Sequence, residues 1–237
     1  MTNKTYTKQL ANAFSSDQIG LIFQNNKRYK EASLKIKNVF IPDVISHDHT
    51  SITFEYVDCL SPLLRDLWFS DQRWDTGLVG ELGALLGNLH SEQGKICDSN
   101  LYLHGDFVPH NIVVRDGCFV VFDIEPPTHR RLFNTFYYGS RYTDICSMLF
   151  SLLTTHSYKK PWKFFRNKKA MVESYLTGYK VGSNFNLESD VLKKYLFQEL
   201  SKWHFDRSLQ HGWFIKNVKY CFLQVVLFVQ MRLYKIL

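Results

Sequence analysis

The sequence predicts an α+β protein of two unequal parts, a small strand-rich N-terminal part and a larger, mainly helical one. Three observations carry this. Short β-prone runs are confined to the first 57 residues and to one hairpin near the middle of the chain. Apolar patterns of helical period fill most of the rest. Asp58-Cys59-Leu60-Ser61-Pro62 reads as a linker between the two, so residues 1–57 form the small part and 58–237 the large one. At 237 residues the chain is long enough to bury a sizeable core.

Taken in order, Thr5-Tyr6-Thr7-Lys8 reads as a strand and Ala11 to Gln18 as a loop, followed by a short apolar patch from Ile19 to Phe23. A helix is expected from an Asn25 cap, with Tyr29, Ala32, Leu34, Ile36 and Phe40 as its apolar positions, until Pro42 stops it. Two strands follow, Asp43 to Ser46 and Ser51 to Val57, around the turn at 47–50. Asp75 to His90 carries a broad apolar helical face that includes Leu78, Leu82, Leu85 and Leu89. After the central hairpin, Pro126-Pro127 interrupts regular structure and an irregular basic segment leads to an apolar helix, Tyr142 to Thr155, containing one carboxylate, Asp144. Three further helices are expected: Pro161 to Gly178, Glu188 to Lys202 and Gly212 to Leu237.

Composition narrows the function classes. Hydrophobic residues at 45% and charged residues at 22% fit a soluble globular protein. A net charge of +7 favours an anionic partner, but no nucleic-acid-binding motif accompanies it, so no specific nucleic acid is expected. The five cysteines are scattered without a CxxC pair, which argues against a disulfide framework or zinc site. No apolar signal region opens the chain, and the most apolar run, Tyr220 to Met231, falls short of the roughly 20 residues a membrane span needs. These features place the chain in the cytoplasm.

The chemistry gathers in residues 104–125, HGDFVPHNIVVRDGCFVVFDIE. Asp106 and Asn111 lie five apart on a loop. A strand (Ile112 to Val114), a turn (Arg115-Asp116-Gly117) and a second strand (Cys118 to Phe122) lead to Asp123. A hairpin folds its ends together, so Asp106, Asn111 and Asp123 converge. Two carboxylates and an amide oxygen suit a hard, hydrated cation such as Mg²⁺, the requirement of phosphoryl transfer.

HGDFVPHN resembles the catalytic loop of the protein-kinase-like superfamily, H-x-D-x-x-x-x-N, and FDIE stands where protein kinases have DFG. The HGD form with Pro109 is similar to the aminoglycoside and choline phosphotransferase branch and to bacterial lipopolysaccharide-core and sugar kinases. The resemblance implies a bilobal protein-kinase-like fold, with a small, reduced β-rich N-lobe and a mainly helical C-lobe, using ATP and Mg²⁺. It makes Asp106 the catalytic base and Asn111 and Asp123 the metal ligands, with Glu125 as an auxiliary. It further implies a strand lysine paired with a helix glutamate, for which Lys8 and Glu31 are the candidates, and a hinge at Glu55 to Val57 that meets adenine. Asp144 resembles the buried aspartate that braces the catalytic loop, and His104 reads as a packed core histidine.

Two departures from the family pattern stand out. Almost no chain precedes Lys8, so the strands bearing a glycine-rich phosphate loop are missing and the N-lobe reads as truncated. Gly105 stands where regulated protein kinases carry arginine, and no APE motif follows, which favours a constitutive small-molecule kinase.

For the acceptor, His129, Arg130, Arg131 and Arg141 follow the metal site and suit an anionic substrate. The expected reaction is phosphorylation of a sugar hydroxyl of a lipopolysaccharide core or other surface glycan precursor. A choline- or aminoglycoside-type kinase and a non-catalytic pseudokinase scaffold are the alternatives. The basic, aromatic C-terminal helices suit peripheral association with an anionic membrane surface, at the inner face of the inner membrane.

Overall fold

The computed structural model describes residues 4–10, 14–57, 76–92, 100–115, 117–124, 138–154, 161–207, 213–233 and 235. The linker at 58–62, Glu125 and the basic residues 129–131 lie outside them. The chain divides into two compact units, Met1–Leu64 with Leu89–Ser140, and Arg65–Asn88 with Arg141–Leu237.

The first unit opens with β1 (Thr5–Gln9) and α1 (Ser16–Ser33). The helix starts nine residues before the expected Asn25 cap. The Ser15 hydroxyl accepts the Gln18 N–H while the Gln18 side chain accepts the Ser15 N–H, a reciprocal capping box that satisfies two otherwise orphaned donors. Asn25 and Asn26 therefore fall in the middle of α1, and both are buried. The helix also ends earlier than expected. The chain turns through Asn38, at φ 62°, into β2 (Val39–Phe40). These two β-prone residues find a strand partner, which overrides the helical spacing read into them. Lys30 fastens this connection to α1, donating to the Ile41 carbonyl at 2.8 Å and pairing with Asp43 at 3.3 Å.

β3 (Val44–His47) and β4 (Ser51–Glu55) join β1 in an antiparallel sheet of order β1-β4-β3, with Lys8 opposite Ile52. Leu10, Phe14, Ile19, Ile22, Val44 and Ile52 form one apolar cluster between this sheet and α1.

α2 (Thr76–Glu92) runs two residues past the expected end at His90, and after it β5 (Asn100–Tyr102) leads to the central hairpin. The hairpin comprises β6 (Ile112–Arg115) and β7 (Cys118–Val121), with Gly117 at φ 75° in its turn, a conformation glycine adopts without steric penalty. β2 adds to it in parallel, giving the order β2-β7-β6. β8 (Tyr138–Ser140) pairs antiparallel with β5, so both of these segments are short strands rather than loop.

The second unit is helical: α3 (Tyr142–Thr154), α4 (Lys169–Ser183), α5 (Ser189–Arg207) and α6 (Trp213–Leu233). The helix expected from Pro161 begins as a short 3₁₀ turn, Pro161–Phe165, and α4 starts only at Lys169. α3 is buried on nearly every side, as its near-continuous apolar sequence requires. Beneath its C-terminus the buried Lys168 ammonium donates to the Leu152 and Leu153 carbonyls at 3.0 and 2.6 Å, satisfying orphan acceptors of the last turn. Glycines set the contact between the Thr76–Asn88 part of α2 and α4. A Cβ at Gly83 would overlap the Tyr175 carbonyl, and one at Gly178 would overlap the Gly80 carbonyl. No helix among the described residues is long and apolar enough to cross a membrane.

Candidate active site

The candidate site belongs to the first unit and is built on the loop before β6 and the exit from β7. Gly105 adopts φ 90°, a conformation open to glycine and strained for other residues, so the backbone itself accounts for glycine before Asp106. The imidazole of His104 is fully buried, with Tyr29 and Phe107 edge-on to it, and its Nδ1 accepts the Asp106 N–H at 3.3 Å. His104 is thus a packed residue that orients the loop. Pro109–Asn111 forms one 3₁₀ turn, which brings the Asn111 amide back onto Asp106. Asn111 Nδ2 donates to the Asp106 carbonyl and to its carboxylate Oδ2, both at 3.0 Å.

With its nitrogen turned to Asp106, Asn111 keeps the amide oxygen for another ligand. Across the hairpin the Phe122 N–H donates to the Asn111 carbonyl at 3.1 Å, which brings the main chain just before Asp123 beside Asn111. Asp123 itself sits at φ 55°, left-handed backbone that aspartate tolerates better than most residues. Its Oδ1 receives the Lys8 ammonium at 2.9 Å. Lys8 and Tyr6 share one face of β1, as the two-residue period of a strand dictates.

Glu31 is not brought to Lys8. Its neighbours Tyr29 and Ser33 point inward, so Glu31 faces the opposite side of α1 and is exposed. Lys8 pairs with Asp123 instead. The residue that α1 does present to the site is Asn26. Its Nδ2 donates to the Ile22 and Ile124 carbonyls, each at 2.9 Å, and its neighbour Asn25 donates to the Leu103 carbonyl at 2.8 Å. The sequence offered a signal for this placement in the Ser15-x-x-Gln18 box, which moves the helix start forward and both asparagines into its interior.

A cleft of about 190 Å³ opens beside Asp123. Ile41, Phe54, Val120 and Phe122 give it apolar walls, Asn26 lies in its lining, and Glu55, Tyr56 and Val57 form its rim. The Glu55 and Tyr56 N–H groups are committed to the Asp43 and Lys4 carbonyls at 2.8 and 3.0 Å. Among the described residues Val57 therefore supplies the rim amide not engaged in the sheet.

In the second unit, Arg141 is buried, stacks on the Phe185 ring at 3.8 Å and hydrogen-bonds Tyr179. This internal role removes it from the expected anion-binding group. Asp144 is likewise fully buried. Burial, reinforced by the Tyr179 and Asp144 charges, holds the Tyr175 phenol well above its ordinary range.

An asparagine-tethered aspartate and a second aspartate across a hairpin thus stand in one α+β fold with an apolar cleft bounded by strands. Among solved structures the chain is similar to amicoumacin kinase hAmiN in complex with AMP-PNP, Ca²⁺ and Ami, at a TM-score of 0.61 and 12% identity, covering 94% of this chain and 80% of that one. It is also similar to the apoenzyme of macrolide 2′-phosphotransferase MphH from Brachybacterium faecium, at a TM-score of 0.48 and 13% identity, covering 86% and 81%. No protein-family model and no curated protein sequence matches the chain.

Proposed function

We propose that the chain is an ATP- and Mg²⁺-dependent phosphotransferase acting on a hydroxyl group of a small molecule. The observation that carries this is the Asp106–Asn111–Asp123 grouping, with Lys8 held on Asp123 beside an apolar cleft. In this reading adenine lies between Ile41, Phe54, Val120 and Phe122 and accepts a hydrogen bond from the Val57 N–H. Asp106 takes the proton of the acceptor hydroxyl as that oxygen bonds to the γ-phosphorus, and ADP departs with the electrons of the broken P–O bond. Lys8 leaves Asp123 to hold the α- and β-phosphates.

The donor set fits a hard cation: the Asn111 amide oxygen and the Asp123 carboxylate are oxygen ligands, and Asp123 already holds a cation in Lys8. Asn111 and Asp123 would hold Mg²⁺, and the charge it would supply there would offset that of the phosphates. Glu125 remains the proposed auxiliary ligand.

The finer acceptor reading, a sugar hydroxyl of a lipopolysaccharide core or other glycan precursor, rests on the +7 charge and the basic residues 129–131. The burial of Arg141 weakens it. A choline- or aminoglycoside-type acceptor needs no such basic group, so a neutral or cationic small molecule is the better-supported choice. Peripheral membrane association is supported by α6. Val218, Val225 and Phe228 are exposed along it, Arg232 and Lys235 are exposed at its end, and no Asp or Glu occurs from 213 to 237.

Mg²⁺-dependent ATP binding and turnover by the purified chain test the central reading. Asp106→Asn should bind Mg²⁺–ATP normally and lose transfer by about 10²–10⁴-fold, whereas Asp123→Ala should lose metal-dependent binding. A wild-type chain that binds no nucleotide with Mg²⁺ present would exclude the enzyme and leave a non-catalytic scaffold.

A further inference from the structure

Asparagine is a weak helix former, and α1 carries two in succession at its centre, 1% and 3% exposed. The side chains reach different targets. Asn25 donates to the carbonyl of Leu103, the residue immediately before His104-Gly105-Asp106. Asn26 donates to the carbonyl of Ile124, the residue immediately after Asp123. Two adjacent residues of one helix therefore hold the main chain at both ends of the segment that carries Asp106, Asn111 and Asp123. Asn25 acts through its donor alone, since its Oδ1 is buried and meets no partner among the described residues. A glutamate could not replace either residue, because an ionised carboxylate only accepts hydrogen bonds and both targets are carbonyl oxygens.

We propose that Asn25 and Asn26 form a positioning clamp that fixes the separation of Asp106 and Asp123, a neutral device on the helix whose carboxylate, Glu31, faces away. The proposal rests on the reading of the site given above. Lys30 extends the clamp, because its bond to the Ile41 carbonyl ties the same helix to a wall of the cleft. A shift of α1 would act on both aspartates at once.

Asn26→Leu and Asn25→Leu, similar in size and without donors, are compared with Val226→Ala, a buried change in the second unit that serves as a stability control. Two readouts separate positioning from general destabilisation. In the free protein, amide hydrogen exchange at Asn111 and Phe122 should speed up in both asparagine variants and stay at wild-type rates in Val226→Ala. The Mg²⁺ concentration for half-maximal ATP turnover should rise by about 10–100-fold in Asn26→Leu, as for lost supports of metal ligands, and stay unchanged in the control. Wild-type exchange and an unchanged Mg²⁺ midpoint in both asparagine variants would overturn the clamp. If Asn26→Leu does not fold, Asn25→Leu carries the same comparison from the Leu103 end. If the wild type neither binds nor turns over ATP, the phosphotransferase reading fails, while the exchange rates still decide the clamp.

Discussion

The buried lysine beneath α3 makes stability depend on pH in a direction opposite to that of an ion-paired lysine. Burial lowers the Lys168 pKa from 10.5 to about 7. Between those values the unfolded chain holds a proton that the folded chain has released, so stability rises as pH rises through this window. The gap of about three and a half pH units, at 1.36 kcal/mol each, sets a ceiling of about 5 kcal/mol. The carbonyls of Leu152 and Leu153 favour the ammonium and bring the observed value below that ceiling. The assay is urea unfolding of wild type and Lys168→Met from pH 6.5 to 9.5. Other titrating groups cancel in the difference between the two proteins. The stability of wild type relative to Lys168→Met should climb with pH by at least 1 kcal/mol across the series. Parallel stability curves would refute the reasoning and show that Lys168 keeps its proton in the fold.

Other perturbations have equally definite outcomes. Gly83→Leu should cost on the order of 3 kcal/mol by thermal melting, because the clash is with the Tyr175 main chain and no rotamer relieves it. Gly105→Ala should cost about 1–3 kcal/mol from its φ of 90° and, by moving Asp106, lower turnover more than ATP binding. Lys8→Met removes a half-exposed ion pair, so melting should shift by less than about 1 kcal/mol while the KM for ATP rises severalfold; an unchanged KM would remove Lys8 from the phosphate site. Sedimentation with phosphatidylserine vesicles, but not with phosphatidylcholine vesicles, should deplete the wild type, and Phe228→Asp should abolish the effect.

Much of the candidate site was legible because it is local. The hairpin, its glycine turn and the Asp106–Asn111 pair lie within twenty residues, where spacing alone dictates geometry. α3 was legible for a related reason: a helix apolar on all sides has to be core. What escaped was decided by distant partners. Phe40 carries helical spacing, yet the parallel pairing of Val39 and Phe40 with Phe119 and Val120 makes the two a strand. β5 and β8 are three residues each, too short to show alternation, and exist through each other. Asn25 looked like a cap because asparagine usually is one, and only carbonyls from the far side of the chain make it useful in mid-helix. Glu31 faces away because Tyr29 and Ser33 take the inward side of α1, and Lys8 pairs with Asp123 across 115 residues of chain.

The close approach of α2 and α4 has a consequence for how the chain folds. Their contact is main chain against main chain, closed by the Ser174 hydroxyl on the Thr76 carbonyl, residues 98 apart in sequence. During synthesis the glycines of α2, which lower its intrinsic helicity, emerge long before the helix whose main chain they meet. That glycine face has no partner until α4 leaves the ribosome. Nascent chains arrested before residue 169 should therefore leave the Thr76–Asn88 part open to proteolysis, and protection should coincide with the appearance of α4.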